Sequence, residues 1–485
     1  MAWEPVIGLE CHIQLATRTK MFCGCPVAFG EEPNTNVCPV CLGLPGALPR
    51  LNAAAVDDAL ALGLALGCRI RPESVFARKN YFYPDMPKNY QITQYDRPLC
   101  EGGALTVAGG DGARAIALTR IHCEEDAGKS FHPERHGDLR LSKVEFNRAG
   151  TPLLELVTEP ELASAGECAA FLLALRRLVR WLGVSGGDME KAQLRCDANV
   201  SLRRTGTAGL GVKTEIKNLN SIKAVERGVA AEIARQSALL DRGEPVVQST
   251  LLYDADHDRL AVMRTKEDAH DYRYFPEPDL PVLRVDEQRL AVAKAALPEL
   301  PWAREARFAG QYALPAYDAG VLTDSRELSE YFEACARGAD AKLASNWIMV
   351  EVLRVLKDRG WSVSRWADRV PPGRLRDLLA RVGAKDLPGP VAKQVFAWMA
   401  DEDGTVDALL ARHGVQVRAS ADDLRPLVRE VLDAHPEAIA QLHGGKAAAF
   451  GFLVGQVMKR SGGQAVPQTV QALLREELAA RTGKP

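Results

Sequence analysis

The sequence VIGLECHIQLATRTKMFCGCPVAFGEEPNTNVCPVCLGLP, residues 6–45, holds two kinds of chemistry side by side. In its first part, apolar residues occupy the odd positions 7–15, and polar residues occupy positions 10, 12 and 14. Because successive residues of a strand point to opposite faces, this alternation predicts a half-buried strand. Glu10, His12 and Gln14 would form a polar row on its outer face, spaced about 6.6 Å apart.

The second part of this stretch contains two pairs of cysteines. Cys23-Gly-Cys25 and Cys38-Pro-Val-Cys41 offer four soft ligands, with Gly, Pro and Asn between them to permit tight turns. Tetrahedral zinc binds such thiolates, and a set of four leaves no open coordination position. The alternative is four unrelated buried thiols. The pattern favours a structural zinc site.

The chain as a whole has the composition of a soluble globular protein with several domains. It has 485 residues, 47% of them hydrophobic and 26% charged, and a net charge of −2. Non-specific coating of nucleic acid needs a strongly basic surface, so that function is disfavoured, whereas a local groove for a specific RNA is not. The N-terminus resembles no secretory signal, and the eleven cysteines favour a reducing compartment. We therefore expect a cytoplasmic protein without a membrane span.

Several secondary-structure elements follow from local signals. Asn52, Ser164 and Ser221 are placed to cap three helices. Residues 143–157 predict two strands that pair around an Asn-Arg-Ala-Gly turn. Residues 194–217 predict a hairpin whose strands each have one apolar face and one densely charged face.

Two charged features of the sequence each allow two interpretations, one as an ordinary solvated surface and one as a functional site. Glu124-Glu125-Asp126 alone is typical of a solvated acidic turn. Together with Glu10 and His12, these carboxylates are the type that magnesium needs, and magnesium sites usually carry phosphates as well. Strand alternation puts Glu124 and Glu125 on opposite faces, which leaves open which of the two points inward.

The charged face of the predicted hairpin is the second such feature. A solvated sheet is the simpler interpretation, but a face that carries Asp197, Asn199, Glu215 and Lys217 also suits a nucleotide and a metal. Neither a Walker A motif nor a strand-flanked G-x-G-x-x-G is present. The His132 and His136 pair is interpreted as part of a surface loop.

Several longer motifs resemble those of one family. They include VIGLECHIQL (6–15), RKNYFYPDMPKNYQI (78–92), HCEEDAGK (122–129), FNRAGTPLLELVTEP (146–160) and GFLVGQVMKRSGGQAVP (451–467). With others they cover essentially the whole chain, which resembles the B subunits of bacterial aspartyl/glutamyl-tRNA(Asn/Gln) amidotransferases.

The resemblance implies an α+β fold with three parts. A cradle-shaped, glutamine-synthetase-like catalytic domain with an antiparallel sheet would occupy residues 1–293. An all-helical domain would follow at 294–412. A small helical tail domain at 413–485 would bind tRNA away from its acceptor end, by shape.

The resemblance also implies ATP-dependent amidation of misacylated Glu-tRNA(Gln), Asp-tRNA(Asn) or both. The chain would phosphorylate the side-chain carboxylate of the tRNA-bound amino acid, and ammonia would then displace phosphate. An amidase (glutaminase) partner, the A subunit, would release that ammonia from glutamine, and a small C subunit would complete a heterotrimer. ATP, Mg²⁺ and a structural Zn²⁺ would be the cofactors.

The resemblance and the residue patterns together assign the site. The catalytic residues would be Glu10, His12, Glu124 and Glu125, to which we add Lys79. Magnesium would be bound by Glu10, His12 and Glu125. Zinc would be bound by Cys23, Cys25, Cys38 and Cys41. Binding of ATP or the second substrate is assigned to Lys88, Asp197, Asn199, Glu215 and Lys217.

The sequence departs from the family pattern at Cys11, Asn89, Glu145 and residues 248–251. Two alternative functions are a non-catalytic, zinc-stabilised tRNA-binding scaffold and a ligase for a free small molecule. The intact acidic motifs favour an enzyme over a scaffold, and the helical tail counts against a small-molecule ligase.

Overall fold

The computed structural model describes residues 3–109, 112–131, 141–265, 272–417 and 420–482. The segment that holds His132 and His136 lies outside these ranges. The chain forms two compact units, residues 1–300 and 301–485.

The first unit contains the strands. Their bounds in chain order are β1 (Trp3–Gln14), β2 (Arg69–Ile70), β3 (Glu73–Ser74), β4 (Ala77–Asn80), β5 (Tyr90–Thr93), β6 (Cys100–Glu101), β7 (Ala104–Gly109), β8 (Gly112–Glu125), β9 (Lys129–Phe131), β10 (Lys143–Glu145), β11 (Pro152–Thr158), β12 (Leu194–Arg204), β13 (Thr214–Leu219), β14 (Ser249–Asp254), β15 (Arg259–Thr265), β16 (Phe275–Pro276) and β17 (Leu283–Arg284).

In the described residues, the main sheet has ten strands, with the predicted strand β1 near its centre. The order is β15-β14-β13-β12-β1-β11-β8-β6-β2, and β7 also pairs with β8. Strand β1 is antiparallel to both neighbours, β12 and β11. The β13–β14 pair is parallel and so departs from the predicted antiparallel arrangement. Smaller sheets pair β16-β4-β5, β9-β10 and β3-β17.

Four helices of the first unit are α1 (Ala53–Ala65), α2 (Ala165–Leu182), α3 (Ile222–Asp241) and α4 (Glu287–Ala296). The three predicted N-caps are confirmed: the side chains of Asn52, Ser164 and Ser221 accept hydrogen bonds from the backbone amides of Ala54, Glu167 and Ala224. Each cap satisfies an amide that has no partner within its helix.

One face of β1 lies in the core of the first unit. Ile7, Leu9, Cys11 and Ile13 are at most 1% exposed, and they belong to one hydrophobic cluster with residues of α2 and α3. Full burial of such a side chain is worth about 1.5–3 kcal/mol, so alternation fixes which face of the strand turns inward. The opposite face of the sheet is polar and carries the predicted site.

The prediction that residues 143–157 form a strand pair is wrong. Strand β10 pairs with β9, whereas β11 lies between β1 and β8. Six of the seven residues of β11 are buried. Its apolar side chains therefore favour the centre of the main sheet over a local hairpin.

The second unit is helical. Its helices are α5 (Pro301–Gln311), α6 (Ala316–Leu322), α7 (Arg326–Ala336), α8 (Ala341–Trp347), α9 (Leu353–Arg359), α10 (Val363–Arg369), α11 (Pro372–Gly383), α12 (Gly389–Asp401), α13 (Val406–Arg412), α14 (Ala421–Ala434), α15 (Pro436–His443), α16 (Ala448–Arg460) and α17 (Pro467–Thr482). A π-helical segment, Ile348–Val352, joins α8 to α9. The predicted α+β class, a sheet-rich part followed by helical parts, is confirmed.

The first compact unit extends beyond the boundary expected at residue 293, which falls inside α4. Leu290, Ala293 and Leu297 pack against the core of the first unit, so this helix belongs to it. The second unit has two hydrophobic clusters, one from Phe308 to Leu410 and one from Leu424 to Leu478. The division of this unit into two domains stays a prediction.

All eleven cysteines are free thiols. Within the described residues, every helix is too short or too polar to cross a bilayer.

Candidate active site

Strand register brings distant polar residues into one row on the open face of the sheet. His12 lies opposite Arg195 on β12 and opposite Glu155 on β11. Glu155 in turn lies opposite His122 on β8. Side chains at paired positions share a face, so these four residues cross the sheet side by side.

Four of the polar residues form a carboxylate–histidine cluster: His12, His122, Glu124 and Glu155. The Nε2 atom of His12 is 3.6 Å from Glu124 Oε1 and 3.4 Å from Glu155 Oε2. The Nε2 atom of His122 is 3.8 Å and 3.6 Å from Oε2 of the same two acids. Glu124 is 2% exposed and Glu155 is 9% exposed, so their charges are largely withdrawn from water.

Electrostatic effects in this cluster oppose one another. Burial alone would raise the pKa of Glu155, but the imidazoles of His122 and His12 outweigh it and lower the pKa. Glu10, one strand period from His12, has a raised pKa because of its burial and because of the carboxylates of Glu155, Glu215 and Asp197. Glu10 thus lies among other carboxylates, a like-charge repulsion that a bound cation would relieve.

Glu124 and Glu125 point in different directions. Glu124 joins the carboxylate–histidine cluster. Glu125 is also buried, but its carboxylate pairs with Lys88 Nζ and accepts a hydrogen bond from the Ile92 amide at 2.9 Å. The alternation along β8 therefore places Glu124 inward toward His12.

A cation has a suitable set of ligands in this cluster. Each of His12, Glu124 and Glu155 offers one possible ligand atom, and the three atoms lie within 4.8 Å of one another. Carboxylate oxygens suit magnesium, whereas an imidazole ligand is more usual for zinc and other transition metals. The predicted magnesium set was Glu10, His12 and Glu125. The structure groups Glu124 and Glu155 with His12, with Glu10 next along the strand and Glu125 apart, and the identity of the ion stays a prediction.

The charged hairpin face forms a second polar group beside Glu10. Lys217 Nζ is 2.6 Å from Asp197 Oδ2 and 2.9 Å from Glu215 Oε1. Burial alone would lower the pKa of Lys217, but these two carboxylates raise it. Asn199 donates a hydrogen bond from Nδ2 to Glu10 Oε1 at 3.3 Å. The predicted residues of this hairpin thus adjoin Glu10 on β1.

Tyrosines from two parts of the chain that are remote in sequence, residues 81–95 and 272–274, meet at the side of the site. Tyr95 and Tyr274 are stacked with ring centroids 4.0 Å apart, and Tyr272 contacts both Tyr81 and Tyr274. Lys79 Nζ lies 4.9 Å from the Tyr272 ring centroid. Burial, with the nearby carboxylates of Glu155 and Glu124, raises the pKa of Tyr274. This tyrosine cluster therefore adjoins the acidic centre.

The four predicted zinc ligands come together. Sulfur atoms of Cys23, Cys25, Cys38 and Cys41 lie within 4.8 Å of one another. A hydrogen bond from the Cys23 thiol, aided by the Cys38 amide and the Lys20 ammonium, outweighs burial and lowers the pKa of Cys41 to about 4. Lys20 is fully buried, with Nζ 3.6 Å from Cys41 Sγ. A thiolate set of this kind fits tetrahedral zinc.

Two residues of the carboxylate–histidine cluster were not predicted from the sequence. Glu155 and His122 were not predicted, although Glu155 is the one acid in the apolar run Leu153–Val157, which is a detectable signal. The structure also explains one departure from the family pattern. Asn89 has φ of 60°, a conformation that asparagine tolerates better than most residues. In the segment 248–251, the structure gives no reason for the changes at Ser249 and Leu251, while Thr250 between them donates to Glu215 Oε2 at 3.0 Å.

The chain is similar over nearly its whole length to proteins of one family. The family model described as the GatB/GatE catalytic domain matches residues 5–291, and the one described as the GatB domain matches residues 330–478. The B subunit of the aspartyl/glutamyl-tRNA(Asn/Gln) amidotransferase of Prosthecochloris aestuarii is 47% identical over 479 residues, which are 99% of this chain and 98% of the relative. The protein of the same name from Chlorobium chlorochromatii is 48% identical over 479 residues, which are 99% and 100% of the two chains. The chain therefore belongs to the family of B subunits of aspartyl/glutamyl-tRNA(Asn/Gln) amidotransferases.

Proposed function

We propose that this chain carries out the ATP-dependent amidation of Glu-tRNA(Gln), Asp-tRNA(Asn) or both. The observation that carries the proposal is the grouping of His12, Glu124 and Glu155 on the open face of the sheet, beside the cations Lys79 and Lys217. The names of the full-length relatives support the same reaction.

The chemistry requires activation of a carboxylate. In the proposed first step, an oxygen of the side-chain carboxylate on the tRNA attacks the γ-phosphorus of ATP, and the bond to the leaving ADP oxygen breaks. Ammonia then attacks the acyl carbon, and phosphate departs with the carboxylate oxygen. Ammonia gives up one proton as the amide forms and the departing phosphate takes it up, so atoms and charge balance.

The residues of the site would mainly position the two substrates and neutralise the charge of the phosphates, because phosphoryl transfer needs little covalent help from a protein. Magnesium held by His12, Glu124 and Glu155 would neutralise charge on the phosphoryl oxygens. His122 would help to hold the two acids in place, since its Nε2 lies 3.8 Å from Glu124 Oε2 and 3.6 Å from Glu155 Oε2. Lys217 is held by Asp197 and Glu215 at the edge of the same face.

The tyrosine cluster suits the other substrate. Single-stranded RNA ends are recognised by stacking of bases on aromatic side chains. Tyr95 is 56% exposed while it stacks on Tyr274, so it offers an open ring beside the acidic centre. We assign this cluster to the terminal base of the aminoacylated tRNA.

The partners follow from the proposed reaction. Free ammonia is scarce at neutral pH because most is protonated, so an amidase partner that hydrolyses glutamine would supply it. A small third protein would complete a heterotrimer, the helical part of the chain would contact the tRNA, and the complex would work in the cytoplasm. Zinc in the four-cysteine site would be structural.

Reconstitution tests the proposal. The chain is combined with its amidase and small partner proteins, misacylated tRNA, ATP, Mg²⁺ and glutamine, and amidated aminoacyl-tRNA is measured. We expect product that requires both ATP and this chain, and that is lost in the His12→Ala variant of the assembled complex. ATP-independent product, or full activity in that variant, would contradict the proposal.

A further inference from the structure

Lys20 is a buried lysine between the four-cysteine site and the polar face of the main sheet, which we call the catalytic face. Its side chain is fully buried. Its ammonium group contacts the Asn36 carbonyl oxygen at 2.7 Å, the Phe146 carbonyl oxygen at 3.3 Å and Cys41 Sγ at 3.6 Å. These three acceptors match the three N–H groups of an ammonium. The side chain thus joins the cysteine loop to the segment that follows β10.

The charge of Lys20 is balanced in an uncommon way. Among the residues that the structure describes, no carboxylate forms an ion pair with its ammonium, and the sulfur that it contacts belongs to the cysteine cluster. Burying a charge is costly unless an opposite charge accompanies it. Four thiolates carry two more charges than one Zn²⁺ ion neutralises. Lys20 is therefore placed to compensate part of the negative charge of the metal site.

The 146–150 turn connects Lys20 to the acidic end of β8. Lys20 binds the first carbonyl group of this turn. At the other end of the turn, the Gly150 amide donates to the Asp126 carbonyl oxygen at 2.9 Å, and the Gly150 carbonyl oxygen accepts from the Met21 amide at 2.8 Å. The turn is thus bonded both to the residue that follows Lys20 and to the residue that follows β8.

The cysteine loop and the turn are also in direct contact. A Cβ atom built at Gly150 would be 3.4 Å from Cys41 Cβ and 3.5 Å from Lys20 Cδ. The Asn36 amide donates to Asn147 Oδ1 at 2.9 Å, while the Asn36 carbonyl oxygen accepts from Lys20. Backbone and side-chain contacts therefore link the position of the turn to that of the loop.

Asp126 links the turn to a cation beside His12. Asp126 is 4% exposed, and its Oδ1 accepts a hydrogen bond from Arg195 Nη2 at 3.0 Å. Arg148, a residue of the turn, has its Nε 3.5 Å from Asp126 Oδ2. Arg195 lies opposite His12 in the register of β1 and β12. A displacement of the turn would therefore move the carboxylate that orients Arg195 on the catalytic face.

We propose that Lys20 is a positioning residue that couples the four-cysteine metal site to the catalytic face. It balances the charge of the metal site, and it holds the 146–150 turn, which keeps Asp126 and Arg195 in place. The inference rests on the zinc site and the reaction of the proposed function. Groups that contact metal ligands from outside commonly change metal affinity or activity by about 10–100-fold.

The Lys20→Met variant tests both roles in the assembled amidotransferase. Zinc affinity is measured by competition with a chromophoric chelator, and amidation is measured with saturating zinc. We expect the zinc Kd to rise at least about tenfold. With zinc bound, kcat should fall about tenfold while the KM values for ATP and aminoacyl-tRNA change less than about twofold, because no group that binds substrate is removed.

Two comparisons separate this role from simple packing. Arg304→Met, which replaces a buried cation on α5, is the matched control. It should leave the zinc Kd unchanged even if it lowers the melting temperature. In the second comparison, Lys20→Met is combined with Cys41→Ser. The loss of melting temperature caused by Lys20→Met should be smaller in the Cys41→Ser background, because the buried ammonium there has already lost its counter-charge.

Hydrogen exchange tests the coupling without any substitution. Removal of zinc from the wild-type complex by the chelator should speed amide exchange in peptides that cover residues 146–157. Zinc-loaded Lys20→Met should give the same change in these peptides. Peptides from α7 in the helical unit should exchange at the wild-type rate throughout.

The outcomes separate the inference from the proposed function. The inference is overturned by an unchanged zinc Kd or full kcat in zinc-loaded Lys20→Met, by equal losses of melting temperature in both backgrounds, or by unchanged exchange at 146–157 after zinc removal. A wild-type complex that binds no zinc would overturn the inference together with the zinc assignment. Zinc affinity and exchange need neither ATP nor tRNA, so product formed without ATP would contradict the proposed reaction and leave these two results standing.

Discussion

His12 Nε2 lies 3.6 Å from Glu124 Oε1, although the two residues belong to strands that do not pair with each other. Strand β11 lies between them and contributes Glu155 to the same point. Three consecutive strands of the sheet thus converge on one small volume. Glu124 and Glu125 point in different directions because side chains alternate along β8, and for this reason Glu124, not Glu125, joins His12.

Glu155→Gln should lower kcat of the reconstituted complex by about 10²-fold, because an amide cannot replace a charged ligand or balance His12 and His122. The change keeps the shape of the side chain, so the melting temperature should change little. Amidation is measured as a function of Mg²⁺ concentration. Glu190→Gln, at an exposed turn position, is the control. Equal activity in both variants would exclude Glu155 from the site.

Lys217→Ala should destabilise the protein by about 1–2 kcal/mol, since Asp197 and Glu215 would lose a shared charged partner that is only partly exposed to solvent. Urea denaturation followed by tryptophan fluorescence measures this loss. Lys217→Arg retains the charge and should recover much of the stability. If Lys217→Ala is as stable as wild type, the lysine does not hold this face together.

Cys41→Ser should reduce the zinc content of the purified protein and loosen the neighbouring ion pair of Lys88 with Glu125. A side chain at Gly43 would overlap Lys88, and one at Gly150 would lie 3.4 Å from Cys41 Cβ and 3.8 Å from Glu125 Oε2, so the cysteine loops and this ion pair are in close contact. Metal analysis and melting temperature are the readouts.

The matched control for the cysteine variant is Cys335→Ala, a buried cysteine in the helical unit. It should keep the full zinc content even if it lowers the melting temperature. Retention of zinc by Cys41→Ser would refute the assignment of the four-cysteine site.

Asp58→Asn should stabilise the protein at neutral pH but not at pH 4. Burial, reinforced by the adjacent Asp57, raises the pKa of Asp58 to about 6 from its ordinary value near 3.8. The folded protein therefore holds a proton that the unfolded chain releases, and stability falls as the pH rises from about 4 to about 6. Asparagine carries no such penalty.

Melting temperatures of wild type and Asp58→Asn across this range check the sign. Their difference should grow between about pH 4 and pH 6 and stay constant above. A difference that is independent of pH would mean that the Asp58 carboxyl does not titrate in this way.

Local features of the fold could be predicted from the sequence. The alternation in β1 identified its buried face, and the N-caps at Asn52, Ser164 and Ser221 identified three helix starts, because these signals depend on neighbours in the chain. The cysteine spacing likewise predicted a cluster that the structure brings together.

The pairing of β11 could not be predicted in the same way. Its partners β1 and β8 are remote in sequence, and register between remote strands depends on the packing of the whole sheet. The incorrect prediction of a 143–157 strand pair and the failure to recognise Glu155 have this one cause. The apolar run Leu153–Val157 makes Glu155 conspicuous in the sequence, but its place in the site follows only when its strand lies beside His12.

Phosphorylation of the substrate carboxylate is tested most directly by following one of its oxygen atoms. Misacylated tRNA is prepared with oxygen-18 at both oxygens of the side-chain carboxylate and incubated with the reconstituted complex, ATP and glutamine. The inorganic phosphate is then analysed by mass spectrometry. If the carboxylate is phosphorylated on this face of the sheet, each amide formed yields one phosphate that carries oxygen-18, and Glu155→Gln slows both products together. Amide formation with no label in phosphate would contradict the account.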